Sequence, residues 1–535
     1  MEKGIENKRR LNEVLSQSDG GEYITIQEMN VYALNQRIIL SLLLNALGTY
    51  ETEFLRFNNI TGHLYCFHPK WLRKGTKQNQ NYILKIPCLE FAVTQDLCLS
   101  MAVRTFTSER LKDRIVFRKR KFEQYPKYIL TANHTLRRKL STDTGECFIL
   151  RQTQGDRTEI PFMDLQDLKR FEASKMGVMR QILVRFNEKY TGICHLAFQF
   201  IDAYTVAESP KKLIRENAQA VRNLLAQTEI QIIDYIGDEY SSNFCSAIRE
   251  NLKKKYGIEV SCGKRLSRKK LNLCVIHNAL YYNGNQDPHD KRHEGFAVQH
   301  ITLEDFMGNS EAAISTVVHE LLIKQDIACK QISLFDWSAL EMKSDLVFGM
   351  RALLNEEERY FFMKIRPDGQ FDIKEQKLDL FSVSEYMRCV NVFSDFDDAA
   401  GLIQYADGGI NIIRETSWFT IPEIEKIHDE LSAGNTYLRG KSRRQELLPS
   451  ITDIKTFDQG NAKYYFVGII GEGMKTGIRN ATLIRRIEPY QNSDLRFDEL
   501  LPLMNVVFVR NGQLTVLPFP FKYLKEYIRS LKMPG

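Results

Sequence analysis

Paired cysteines are missing from this chain. Its ten cysteines are scattered singly, with no CxxC and no Cys/His spacing of the zinc-finger kind. That excludes a zinc ribbon and fits reduced core thiols in a cytoplasmic protein. Long apolar runs are missing too. The longest, Ile38 to Leu47, follows Arg37 and is too short to cross a bilayer, so no membrane partner is expected. Residues 1–21 lack the apolar core of a secretory signal. They end in Ser16-Gln17-Ser18-Asp19-Gly20-Gly21 and are expected to form a flexible tail. Internal repeats, heptad arrays and low-complexity tracts are absent. Neither Asp407-Gly408-Gly409 nor Gly471-Glu472-Gly473 runs on into Lys-Ser/Thr, so no phosphate loop of an ATPase is present.

What is there describes a globular chain. Hydrophobic residues make up 43% and charged residues 26% of 535 positions, enough for about three or four domains. A net charge of +7 permits a polyanionic partner without demanding one, so local clustering is the better guide. One cluster runs from Arg110 to Lys127 and holds Arg118, Lys119, Arg120 and Lys121. Phe117, Phe122, Tyr125 and Tyr128 interleave with it. Cations that meet phosphates beside rings that stack on bases suit a nucleic-acid backbone surface. A solvated strand pair with core-facing rings accounts for the pattern equally well. A second cluster comprises Lys253, Lys254, Lys255, Lys264, Arg265, Arg268, Lys269 and Lys270.

Periodicity supplies a coarse element map. Strands are expected around Gly62–Phe67 and Tyr82–Ile86, with Phe91 to Thr107 as one half-buried strand. Phe171 to Phe186 reads as an amphipathic helix and His195 to Phe200 as a buried strand. Ala207 to Lys212 is polar, contains a proline, and suggests a boundary near residue 210. Ala220–Ile236 and Ser241–Tyr256 read as helices. Further on, Tyr360–Ile365 with Gln370–Ile373 forms a hairpin around Pro367-Asp368-Gly369. Leu402–Tyr405 with Ile410–Ile413 forms another, and Val506–Val509 with Leu514–Leu517 a third. Pro422–Leu431, with Thr420 as its cap, and Lys522–Leu531 read as helices, and Tyr464–Ile470 as a buried strand.

The stretch from Leu271 to Trp337 carries the most chemistry. Leu271 to Ile276 is an apolar strand that ends at His277-Asn278, with Tyr281 and Tyr282 close behind. Ala297 to Thr302 is a second extended piece. Ser310 can cap the helix that follows, whose first turn holds Glu311. Ile314, Val317, Val318, Leu321 and Leu322 make an apolar stripe, and Lys324 sits at its edge. Gln299, Lys324, a loop tyrosine and a loop cation could converge on a phosphate.

The order of basic block, strand, polar loop, Val298-Gln299-His300-Ile301-Thr302, capped helix and lysine resembles the MID domain of Argonaute proteins. The resemblance implies an α/β multidomain chain. In it, residues 22–210 are an α+β N-terminal and linker region with little room for a PAZ domain. Residues 211–337 are a Rossmann-like MID domain and residues 338–535 an RNase H-like PIWI domain. It implies that Gln299 and Lys324, with Tyr282 and Lys291, bind a guide 5′ phosphate. His289 or Arg292 could stand in for the earlier pair. Lys264, Arg265, Arg268, Lys269, Lys270 and the Arg118–Lys121 run would follow the nucleic-acid backbone. The resemblance leaves room for Mg2+ at the guide 5′ end and implies no other cofactor. Its partners are a short guide, a complementary DNA or RNA target, and an effector nuclease or helicase-nuclease in plasmid or phage defence.

Slicing members of that family hold two metals on acidic residues, the first of them on the first PIWI strand. Tyr360–Ile365, the best candidate for that strand, has no carboxylate, and Tyr464–Ile470 has none either. Asp395, Asp397 and Asp398 read as a solvated loop. The expectation is therefore a catalytically inactive Argonaute-like protein. Two alternatives remain: a metal-dependent nuclease with an unrecognised carboxylate site, and a scaffold without a guide. Asp368 with Asp372 and Lys374, or Glu375 and Lys377, is spaced too closely for a PD-(D/E)xK core. His289 and His293 stand at i, i+4, but Pro288 and Gly295 favour a loop there.

Overall fold

A computed structural model describes residues 35–49, 56–60, 63–77, 80–95, 97–114, 122–131, 135–151, 160–198, 203–208, 211–282, 288, 293, 295–304, 310–334, 337–354, 357–377, 385–419, 421, 423–435, 453–467, 477–478, 483–504 and 517–531. They fall into two units, residues 1–160 with 181–196, and residues 161–180 with 197–535. The expected strand at Val506–Val509 lies outside the described residues, as do Arg118–Lys121, Thr420 and Pro422.

The first unit is built on an antiparallel sheet. Its strands are β1 (Arg56–Ile60), β2 (His63–Phe67), β3 (Arg73–Lys77), β4 (Gln80–Val93), β5 (Leu99–Ser108), β6 (Lys127–Leu130), β7 (Leu136–Arg138) and β8 (Phe148–Arg151), in the order β1-β2-β4-β5-β8-β6-β7, with β3 beside β4. Both faces are covered in its middle, where Leu64, Tyr65, Cys66, Phe67, Leu89, Phe91 and Phe106 are all buried. The single strand expected over Phe91–Thr107 is instead the end of β4, a turn, and β5. Thr94 closes that turn: its carbonyl accepts from Leu97 N at 3.2 Å and its hydroxyl from Cys98 N at 3.1 Å.

The second unit starts with β9 (Met163–Asp164), the helix Leu168–Glu172 and the first part of the helix Lys175–Lys189, whose residues 181–189 belong to the first unit. One continuous helix was expected here. The carbonyl of Phe171 instead accepts from Ser174 N at 2.9 Å and Ser174 Oγ at 2.6 Å, which ends the first helix. A Cβ at Gly177 would collide with that same carbonyl, so the close return of the chain requires glycine. Residues 195–198 hold no strand, and His195 is exposed, contrary to expectation.

Strand β10 (Tyr204–Glu208) precedes the helix Lys211–Ala226. Next come β11 (Ile230–Asp234), the helix Glu239–Tyr256, β12 (Val260–Gly263), β13 (Leu271–Ile276), the short helix Ala279–Tyr282, β14 (Val298–Thr302) and the helix Ser310–Cys329. The helix expected over Ala220–Ile236 thus stops at Ala226. Ile230, Ile232 and Ile233 are β-branched and all at most 2% exposed, so they form a buried strand. Strands β12-β11-β13-β14 make a parallel sheet.

The remaining strands are β15 (Leu346–Leu354), β16 (Glu357–Ile365), β17 (Phe371–Lys377), β18 (Ala399–Tyr405), β19 (Ile410–Phe419), β20 (Asp453–Gln459), β21 (Ala462–Val467), β22 (Gly477–Ile478) and β23 (Leu483–Pro489). A nine-stranded sheet runs β10-β20-β21-β23-β19-β18-β15-β16-β17. Both expected hairpins that are described, β16–β17 and β18–β19, are present. The opening strand is β15, which Gly349 and Arg351 hide from a periodicity search. Helices Met387–Asp395, Ile424–Ser432, Phe497–Met504 and Pro520–Leu531 accompany the sheet.

The mixed α/β class expected from sequence is observed. Every described ladder of the nine-stranded sheet is antiparallel, including β15 with β18. This departs from the expected RNase H-like order, in which the helix after the opening meander leads to a parallel neighbour. One apolar core serves both sheets, from Leu273 and Leu322 to Phe348 and Leu524.

Candidate nucleic-acid interface

The two faces of the parallel sheet are covered differently. Ile230, Ile232, Leu273, Val275 and Ile301 pack beneath the helices Glu239–Tyr256 and Ser310–Cys329. Gln299 pairs with Leu273 across the ladder, so its side chain shares that helix-covered face. Ile314, Val318, Leu321 and Leu322 bury the expected stripe. They turn Lys324 toward the start of β14.

There Lys324 Nζ donates to Gln299 Oε1 at 2.6 Å and to the carbonyl of Val298 at 2.8 Å. Gln299 Nε2 donates to Glu320 Oε2 at 3.2 Å. The C-terminal helix adds Lys522, Glu526 and Arg529. Glu526, 4% exposed, accepts from Lys522 and Arg529 at 2.7 Å each. Glu320 Oε1 lies 3.5 Å from Lys522 and 4.0 Å from Arg529. Burial pulls the Lys324 ammonium below the usual lysine range, opposed by Glu526 and Glu320 and reinforced by Arg529 and Lys522. Three cations and two carboxylates leave one net positive charge. A further anion would meet both acids, and at about 4 Å and an effective dielectric of ~20 each unit repulsion costs up to about 4 kcal/mol.

The opposite face is covered by loops. Lys264–Lys270 links β12 to β13 with no helix between. A loop lying on a sheet needs buried partners for its backbone, and two amides supply them. Asn272 is fully buried; its Oδ1 accepts from Ser267 N at 2.9 Å and Gln231 Nε2 at 2.7 Å. Its Nδ2 donates to the carbonyls of Ser267, Lys270 and Ala297 at 2.9, 2.9 and 3.1 Å. Gln231 also donates to the carbonyl of Arg265 at 2.8 Å. The pinned loop holds Lys264, Arg265, Arg268 and Lys269 at the surface. Arg268 stands over the Phe296 ring at 5.3 Å, while Lys270 pairs with Glu229 at 2.7 Å.

Tyr282 belongs to a third place. Its hydroxyl accepts from His277 N at 3.2 Å, beyond the end of β13. His277 Nδ1 meets Glu304 Oε1 at 2.6 Å, and the exposed Tyr281 ring stacks on His277 at 3.6 Å. Ile276 pairs with Thr302, three residues past the level of Gln299, so about 10 Å of strand separates the two places. The structure thus brings Gln299 and Lys324 together and leaves Tyr282 apart. Lys291, His289 and Arg292 lie outside the described residues. Glu320, Glu526, Lys522 and Arg529 escaped the sequence reading. Glu320 stands one helical turn before Lys324 and was legible in principle; the C-terminal residues carry no local signal of their contact.

A Mg2+ ion does not fit beside Lys324. Its oxygen-rich octahedron would need Glu320 and Glu526, and Lys522 and Arg529 already neutralise them. Asp395 accepts from Tyr490 at 2.7 Å, and Asp398 from Arg414 at 2.8 and 2.9 Å. Asp397 is exposed near Arg351. Asp372 pairs with Arg366 and Lys330, Glu375 with Arg359, and Lys374 with Glu385. His293 lies 5.8 Å from the ring of His300. Among the described residues no three His, Cys, Asp or Glu side chains gather as metal ligands.

The parallel sheet thus carries a pinned basic loop on one face and a lysine–amide pair on the other. In solved structures the chain is similar to Marinitoga piezophila Argonaute in complex with 5′ OH guide RNA, with a TM-score of 0.40 and 10% identity, covering 98% of this chain and 95% of that one. It is also similar to that Argonaute in complex with 5′ OH guide RNA and target DNA, with a TM-score of 0.38 and 8% identity over 90% and 82% of the two chains. No protein-family model and no curated protein matches the sequence. At this level of similarity the function must be argued from the residues.

Proposed function

We propose that this chain holds a short guide oligonucleotide and uses it to bind a complementary DNA or RNA target. The observation that carries this reading is the 2.6 Å contact between Lys324 and Gln299, two residues far apart in sequence. Together they offer an ammonium and an amide at one edge of a parallel sheet, beside a cationic helix. The Lys264–Lys269 loop supplies charge for the phosphate backbone, and base pairing by the guide supplies sequence choice. Residues 211–337 act as the MID-like region and residues 338–535 as the PIWI-like region, with an antiparallel sheet in place of the RNase H-like order. Binding without cleavage is supported by Asp372, Glu375, Asp395 and Asp398, each engaged in a structural contact. Cleavage or signalling then falls to a separate effector in the cytoplasm.

Replacing Lys264, Arg265, Arg268 and Lys269 by alanine tests the backbone contact. The slope of log affinity against log salt for single-stranded oligonucleotides should become shallower by about three. An unchanged slope removes the loop from the interface.

A further inference from the structure

We infer that the first unit holds a site for a small carboxylate molecule, in a cavity between the helix Gln36–Asn45 and the strands β2 and β4. Arg37, Ser41 and Leu44 stand at i, i+4 and i+7 and so share one face of that helix. The face meets His63 at the start of β2 and Phe91 and Val93 at the end of β4. A cavity of about 100 Å3 lies between them. A cavity of ~150 Å3 holds benzene, so this one has room for about four or five non-hydrogen atoms. All of its residues belong to the first unit.

One end of the cavity is cationic and its floor is apolar. Arg37 Nε donates to the carbonyl of Val93 at 3.1 Å, which holds the guanidinium against β4 and leaves its two Nη groups for a ligand. Among the described residues no carboxylate pairs with Arg37, and the Ser41 hydroxyl makes no hydrogen bond. A carboxylate can accept from the guanidinium fork, and Ser41 can donate to it as well. Leu44, Phe91 and Val93 are buried and offer a short alkyl chain an apolar floor. The His63 ring closes one side. Its Nδ1 meets Glu90 Oε1 at 3.0 Å, and the buried Glu90 also accepts from Tyr65 OH at 3.1 Å and Arg104 Nε at 2.5 Å. Arg104 offsets Glu90, so Arg37 is the uncompensated charge. One guanidinium matches the single charge of a carboxylate. A phosphate brings close to two charges and no apolar part for the floor. A bound carboxylate adds a link between helix and sheet, so occupancy stabilises the helix where it lies.

The test titrates the full chain with propionate, propanamide and inorganic phosphate, read by calorimetry and by hydrogen exchange of the amides of residues 36–45. Propionate should bind saturably, with a dissociation constant on the order of 1 mM, and slow exchange in the helix. Propanamide keeps the shape without the charge and should bind about tenfold more weakly. Arg37→Gln should weaken propionate binding about tenfold. Ser41→Leu fills the cavity with a good helix former and should abolish binding while the circular dichroism spectrum stays unchanged. Should Arg37→Gln loosen the helix, Ser41→Leu still decides. Absence of saturable propionate binding overturns the site. Equal binding of propanamide overturns recognition of the charge, and tighter binding of phosphate overturns the carboxylate class. Propionate binding unchanged in both variants removes the cavity as its location.

Discussion

Asn272 shows how one buried residue can hold a basic loop in place from beneath. Five hydrogen bonds run through its amide, and the loop above it displays four exposed cations. Asn272→Ala strands Ser267 N and several carbonyls beneath that loop. It should cost about 3 kcal/mol in urea denaturation and expose the 264–270 segment to limited proteolysis. A variant with unchanged stability and cleavage pattern would show that the loop is held by other means. The sequence reading found the cations from their density but missed Asn272. A buried asparagine within an apolar run looks like any polar interruption until the loop above it is placed.

At the scale of elements, the Ser310–Cys329 and Pro520–Leu531 helices join the parallel and antiparallel sheets. Asp326 is their hub. It is 1% exposed and accepts from Ser333 N at 3.0 Å, Leu334 N at 3.3 Å and Tyr523 OH at 2.6 Å, with Ser333 Oγ also bonded. Burial pushes its carboxyl above the usual aspartate range, and those four donors oppose the push. Tyr523→Phe removes one of them and should lower stability by about 2 kcal/mol, read as a lower urea midpoint. A midpoint equal to wild type would mean that the hydroxyl contributes nothing to the join. Both helices were legible from their apolar spacing. Their contact was not, because nothing in the local pattern of Lys522–Leu531 names a partner about 200 residues earlier. Likewise β11 hid behind the apolar spacing of the helix before it, and only its run of β-branched isoleucines distinguished the two.

For the whole molecule, the features that survive from sequence are those set by local chemistry. The strand at Leu271, the extended piece at Val298, the stripe leading to Lys324 and the Pro-Asp-Gly hairpin all stand where spacing placed them. What the sequence left open depended on distant chain: the antiparallel order of the large sheet, the separation of Tyr282 from Gln299, and the acids that share the lysine's site. A guide-holding protein must carry nucleic acid when it is isolated intact. The most direct measurement is to extract and sequence what co-purifies with the protein and with Lys324→Ala from the native host. Short strands of uniform length and a single 5′ end chemistry in the wild type, depleted in the variant, are the predicted result. Wild-type protein free of short strands, or equal amounts in both preparations, would contradict it.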